Sequence, residues 1–237
     1  MEVLNGPMAE RSGVSRSSSK AGPEPSSWLL LIPLGSILVY YIFFYPSSHL
    51  LLVFTPLILT LFSLIGWWRW DGGGFQHLRL RKEGLKEVVL IGAGAGAVLA
   101  LFNLFVILKL TVWFGYSYDF LQQTPHAHLP IWLMLPFGIL LIGFIVELLF
   151  RGWILGRLWM LTKNMPGGAY LSIVLSALVF SFDPFMVVYF RGYHWLALSD
   201  GLVWGGLLLK TQNLASTIAA HTVEVWIVYF ILKVFYA

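Results

Sequence analysis

Apolar residues fall along the chain in long unbroken runs, with polar residues gathered between them and at the start. The runs cover residues 28–45, 50–68, 88–114, 131–161, 169–190, 194–209 and 214–235. None alternates with period two, as the strands of a membrane barrel would. A helix that crosses a bilayer takes about 20 apolar residues, so the pattern predicts an all-α polytopic transmembrane helix bundle of about 7–8 spans. Seven spans follow if each run crosses once, and an eighth if one run breaks. The fourth run is too long for one simple span, so it either tilts or lays its end, from Arg151 onward, in the interface. The sixth is short, and Ser199 and Asp200 interrupt it.

Residues 1–27 have a different character, rich in Ser, Gly and Pro and mixed in charge. They read as a disordered polar tail ahead of a transmembrane domain over 28–237. A signal peptide is not expected, because the first apolar run begins only at Trp28 and no small-residue cleavage site follows it. Glu2, Glu10 and Glu24 argue against an organellar transit peptide.

Composition agrees with the pattern. Hydrophobic residues make up 58% of the 237 and charged residues 11%, where a soluble domain carries about 25% charged. Too few polar groups exist to cover a water-facing surface, which excludes a soluble enzyme and a disordered chain. The 18 Phe, 11 Trp and 10 Tyr suit the aromatic belts of a membrane protein. There is no cysteine, hence no disulfide framework and no thiolate ligand.

The net charge of +4 gains meaning from where the cations lie. With seven spans, one side receives Arg11, Arg16 and Lys20, five cations in 69–86, then Arg157, Lys163 and Lys210. The other side holds at most Lys109, Arg191 and Lys233. The bias places the N-terminus in the cytoplasm of a multi-pass integral membrane protein, with a prokaryotic plasma membrane as its expected location. Membrane lipids are expected partners, and HLRLRKEGLKE in the one sizeable polar loop reads as a basic interfacial helix. Nucleic acid is not expected, since no basic stripe interleaved with aromatics occurs.

Small residues stand at packing intervals inside the runs: Gly92, Gly94 and Gly96 in one, Gly201, Gly205 and Gly206 in another. They predict close helix contacts. Gly92–Gly96 lacks the spacing and the preceding strand of a nucleotide loop. No internal repeat is visible, which speaks against a transporter.

A charge inside a bilayer costs roughly 2.5–3.5 kcal/mol on insertion scales, so each needs a partner or a task. Lys109 and Lys233 lie near run ends and can snorkel. Glu147 and Arg151, at i and i+4, share a helix face as a structural salt bridge or as a site carboxylate held by its arginine. His221 and Glu224, at i and i+3, fit an acid–base pair, half a metal site or a link between helices. Two ligands do not make a metal centre, so neither metal nor cofactor is predicted. Asp183 precedes Pro184, which should kink its helix, and it faces either interfacial water or a cavity opened by the kink. Asp200 is expected near an interface. His49, His77, His126, His128 and His194 show no ligand spacing.

In order and spacing these residues resemble the CAAX protease and bacteriocin-processing family, which includes the type II CAAX prenyl endopeptidases. The resemblance covers about 131–235. The family's first motif is Glu-Glu-x-x-x-Arg, often with Phe before the Arg and Gly after it. Val146-Glu147-Leu148-Leu149-Phe150-Arg151-Gly152 matches its second Glu, the Phe, the Arg and the Gly. The second motif, Phe-x-x-x-His, meets Phe180-Ser181-Phe182-Asp183-Pro184, and the third, His-x-x-x-Asn, meets His221-Thr222-Val223-Glu224-Val225.

The resemblance implies a glutamate-dependent intramembrane endopeptidase acting on a membrane-embedded or prenylated peptide or protein. In the family the first Glu is the base and works on water with the second motif's His, while the third motif's His and Asn support the oxyanion. Val146, Pro184 and Val225 stand at three of those positions, so Glu147 takes the part of a brace. Valine and proline can neither accept a proton nor orient water, which leaves two expectations. Either Glu147, Asp183, His221 and Glu224 form a rearranged acidic site beside Arg151, or the chain is an inactive relative that binds or scaffolds membrane proteins.

Overall fold

The computed structural model describes residues 25–71, 78–115, 117, 128–190 and 193–235. The charged residues of the tail's first 24 positions, and His77, His126 and Arg191, lie outside the described residues.

Every apolar run is helical, and no strand occurs among the described residues. A tight turn at Pro25–Leu30 leads into α1 (Leu31–Phe43), followed by α2 (Leu50–Asp71) and α3 (Leu85–Trp113). Next come α4 (131–162), α5 (Gly168–Ser181), α6 (Pro184–Phe190), α7 (His194–Thr211) and α8 (Leu214–Phe235). Among the described residues, four helices are long and apolar enough to cross a membrane: α2, α3, the Ile139–Thr162 part of α4, and α8. The α5–α6 pair makes a fifth if it counts as one broken span. The helix at Trp28–Phe43 is apolar but shorter. Among the described residues, length and apolarity therefore support four to five crossings and do not confirm the seven to eight expected from the runs.

The fold is a multi-pass helical membrane bundle. Leu101, Phe105, Trp132, Phe137 and Leu141 are exposed on its outer faces, a pattern that suits lipid and not water.

Close backbone approach organises the bundle. α3 and α8 share the largest helix interface among the described residues. A Cβ on Gly92 would stand 2.1 Å from the Ser216 carbonyl oxygen, and one on Gly96 would stand 2.2 Å from that of Ala220. Gly94 faces open space, so the contact runs through the i, i+4 pair alone. Gly201 and Gly205 likewise let α7 lie on Ala177 and Ile173 of α5, while Gly206 meets nothing. Gly143 of α4 approaches Thr222 of α8 closely enough that a Cβ there would be 2.9 Å from Oγ1.

Two expectations change. The segment 78–84 is no interfacial helix: it is turn and extended chain up to Gly84, and α3 starts at Leu85. Its backbone is tied to the start of α8 instead. Leu214 N–H donates to the Arg79 carbonyl at 2.8 Å, and Asn213 Nδ2 donates to that of Arg81 at 3.0 Å. Pro184 does not kink one helix either. α5 ends at Ser181, and Pro184 opens α6 after a 55° bend. Proline suits a first helical position because its missing N–H would be unbonded there anyway. Tyr41 Oη donates to the Phe182 carbonyl at 2.8 Å, pinning α1 to the break.

Candidate active site

The site grows from α4. From Ile139 to Glu147 the helix is regular; from Leu148 to Ile154 it widens into a π turn, as it does earlier at Met134–Gly138, and Leu155 N–H reaches back five residues to the Phe150 carbonyl. Such single turns recur at functional sites. Ser176 Oγ of α5 donates to the same Phe150 carbonyl at 3.1 Å. The fourth run therefore continues as one helix through Arg151, which is buried in the bundle.

Glu147 and Arg151 are both fully buried, with Arg151 Nη1 3.3 Å from Glu147 Oε1. The arginine side chain lies between two rings, its guanidinium carbon 4.4 Å from the Phe180 centroid and 4.8 Å from that of Trp204. Cation–π attraction strengthens when the pair is out of water. Gly201 leaves the room, since a Cβ there would lie 3.2 Å from Arg151 Nη2.

The third partner comes from α8. His221 Nδ1 lies 2.9 Å from Glu147 Oε1, and its ring stacks on Trp204 at 4.2 Å between centroids and 15° between planes. One carboxylate oxygen thus meets both a guanidinium and an imidazole, while the other, Oε2, has no hydrogen-bond partner among the described residues. Holding one ring nitrogen fixes which nitrogen of a histidine is left for other work.

A cavity of about 440 Å³ opens beside this cluster. Its walls are mostly apolar, with polar groups from Asn103, Asp183, Asp200, His221, Glu224 and Lys233. Val146 also lines it; Glu147 does not, and sits behind His221. His221, Asp183 and Glu224 therefore meet at one cavity, with Glu147 and Arg151 as a second layer.

Asp183 enters this wall by a simple local route. Its Oδ1 accepts the Phe185 N–H at 3.0 Å, the contact of an N-cap residue opening α6. Asp200 is 8% exposed and packed inside the bundle. Its partner is Asn103 of α3, whose Nδ2 donates to Asp200 Oδ1 at 3.1 Å and to Glu224 Oε1 at 2.9 Å. This shared amide carries Asp200 of α7 and Glu224 of α8 together. Asn103 is the signal the sequence carries, the one amide side chain in the run 88–114.

Residues 128–227 match the family model for the type II CAAX prenyl endopeptidase Rce1-like proteins. Over that segment the chain is similar to this family. The match takes in α4 to most of α8, hence Glu147, Arg151, Asp183, Asp200, Trp204, His221 and Glu224; Asn103 lies outside it. No curated protein and no solved structure matches the chain. The long apolar helices and the similarity over 128–227 agree on a multi-pass integral membrane protein.

Proposed function

We propose that the protein is an intramembrane endopeptidase of the CAAX prenyl endopeptidase type, with the cavity beside His221 as its site. The observation that carries this reading is the placement of His221: on the cavity wall, stacked on Trp204, with Nδ1 held by Glu147. A histidine oriented by a buried carboxylate is a form of general base. The apolar walls suit a membrane-embedded or prenylated peptide segment, the partner class that the Rce1-like resemblance implies. Glutamate dependence here takes an indirect form, since Glu147 braces both His221 and Arg151 and touches no substrate. The N-terminus faces the cytoplasm, in keeping with the cation bias, and the host membrane is a prokaryotic plasma membrane.

Cleavage of a farnesylated peptide by the purified protein in proteoliposomes tests this reading. Turnover that falls in His221→Ala and Glu147→Ala supports it. Equal turnover in wild type and both variants overturns it.

A second reading has its own observation. Val146, on the cavity wall, stands where the family carries its base, and the nearest glutamate, Glu147, is wholly sequestered. An inactive relative would bind a lipidated or membrane-spanning segment in the same cavity without cutting it. Saturable binding of the farnesylated peptide with no cleavage product supports this second reading over the first.

A further inference from the structure

Three carboxylates and few cations share the centre of the bundle. Glu147, Asp200 and Glu224 are buried, and Arg151, which pairs with Glu147, is the one cation whose charge also acts on Asp200 among the described residues. His221 adds a second partner to Glu147, and Lys233 lines the cavity three turns further along α8. Asp200 and Glu224 are held by a neutral group, the Asn103 amide, and both contacts go to the same nitrogen. Two carboxylates brought together away from water do not both stay ionised; one proton between them relieves the repulsion.

The arrangement also points at something that enters the cavity. Asn103 is 3% exposed, lines the cavity, and its Oδ1 has no hydrogen-bond partner among the described residues. Trp204 Nε1 is likewise buried on the wall without a hydrogen-bond partner among those residues. An unmet acceptor and an unmet donor beside two carboxyls are what a bound polar group would satisfy.

We propose that Asp200 and Glu224, joined through the Asn103 amide, hold one proton between them and serve as the acid of this cavity, with His221 as its base. The proposal rests on the hydrolytic reading above and supplies what Val146 and Pro184 lack. A water molecule gives a proton to the free ring nitrogen of His221 as its oxygen bonds to the scissile carbonyl carbon. The carbon–nitrogen bond then breaks, and the departing amine takes the proton of the carboxyl pair. The imidazolium returns its proton to the pair, so water is divided between the two products. Asn103 is a positioning residue that keeps the carboxyls together.

Infrared spectroscopy of the lipid-reconstituted protein, with cleavage of a farnesylated peptide alongside, tests the pair. Wild type should show a protonated-carboxyl band at neutral pH that is lost or displaced in Asp200→Asn and in Glu224→Gln. Each near-isosteric variant should elute as the wild type does while losing about 100-fold or more in turnover, the scale of general acid catalysis. Asn103→Leu should shift the same band, which a merely structural amide would not do. A wild type without the band overturns the proton-sharing pair. Wild-type turnover in both carboxyl variants overturns its catalytic part and leaves the hydrolytic reading standing. A wild type that shows the band but cleaves nothing overturns the hydrolytic reading and with it the acid role, leaving the shared proton in place.

Discussion

His221 Nδ1 lies 2.9 Å from Glu147 Oε1, two residues 74 positions apart on helices α8 and α4. The contact fixes the imidazole and shields the carboxylate from the cavity. It also gives Glu147 a second partner beside Arg151. Removing Glu147 would strand a buried guanidinium, and breaking a buried pair in this way costs about 3–5 kcal/mol. Glu147→Ala should therefore lower the unfolding temperature markedly in detergent, as followed by circular dichroism on heating. An unchanged transition would show that the pair contributes nothing.

Arg151→Lys keeps the charge and loses the plane. The guanidinium carbon lies over both Phe180 and Trp204, 4.4 and 4.8 Å from their ring centroids, and an ammonium group cannot stack on both rings. The variant should lose stability by about 1–2 kcal/mol, a loss set by the desolvated cation–π contact. Tryptophan fluorescence should shift as the ring of Trp204 loses its neighbour. Thermal unfolding and emission spectra of the purified variant check both.

Helix packing gives a sharper contrast. Gly96 faces the Ala220 carbonyl with no space for a Cβ, while Gly94 faces open space on the same helix. Gly96→Val should prevent accumulation of folded protein, and Gly94→Val should leave it near the wild-type level. Membrane yield and monodisperse elution after solubilisation separate the two. Similar behaviour of both variants would contradict the α3–α8 interface.

Much of this architecture was legible in the chain, for identifiable reasons. The apolar runs mark the helices because lipid demands them, and Glu147 with Arg151 is an i, i+4 pair, a local relation that spacing alone fixes. Pro184 was readable as a discontinuity, though its place as the first residue of α6 depends on Asp183 capping that helix. The pairing of His221 with Glu147 depends on how α8 lies against α4 at Gly143 and Thr222, a relation between distant segments. The partner of Asp200 is not legible from spacing, because it is a neutral side chain, Asn103, on another helix. Seven to eight spans are not confirmed, since run length in sequence registers neither the shortness of the Trp28–Phe43 helix nor the 55° bend between α5 and α6.

Asp183 separates capping from chemistry. Its Oδ1 accepts the Phe185 N–H at 3.0 Å, so one oxygen serves the first turn of α6 while the residue also borders the cavity. An asparagine caps as well as an aspartate, whereas alanine at such a position costs about 1 kcal/mol. Asp183→Asn should then match wild type in thermal stability, and Asp183→Ala should unfold earlier by that margin. If Asp183→Asn is destabilised as much as the alanine variant, the negative charge itself matters. Asp183 would then belong with Asp200 and Glu224 in the electrostatics of the cavity. Unfolding midpoints of the three proteins, measured side by side in one detergent, decide between a cap and a site carboxylate.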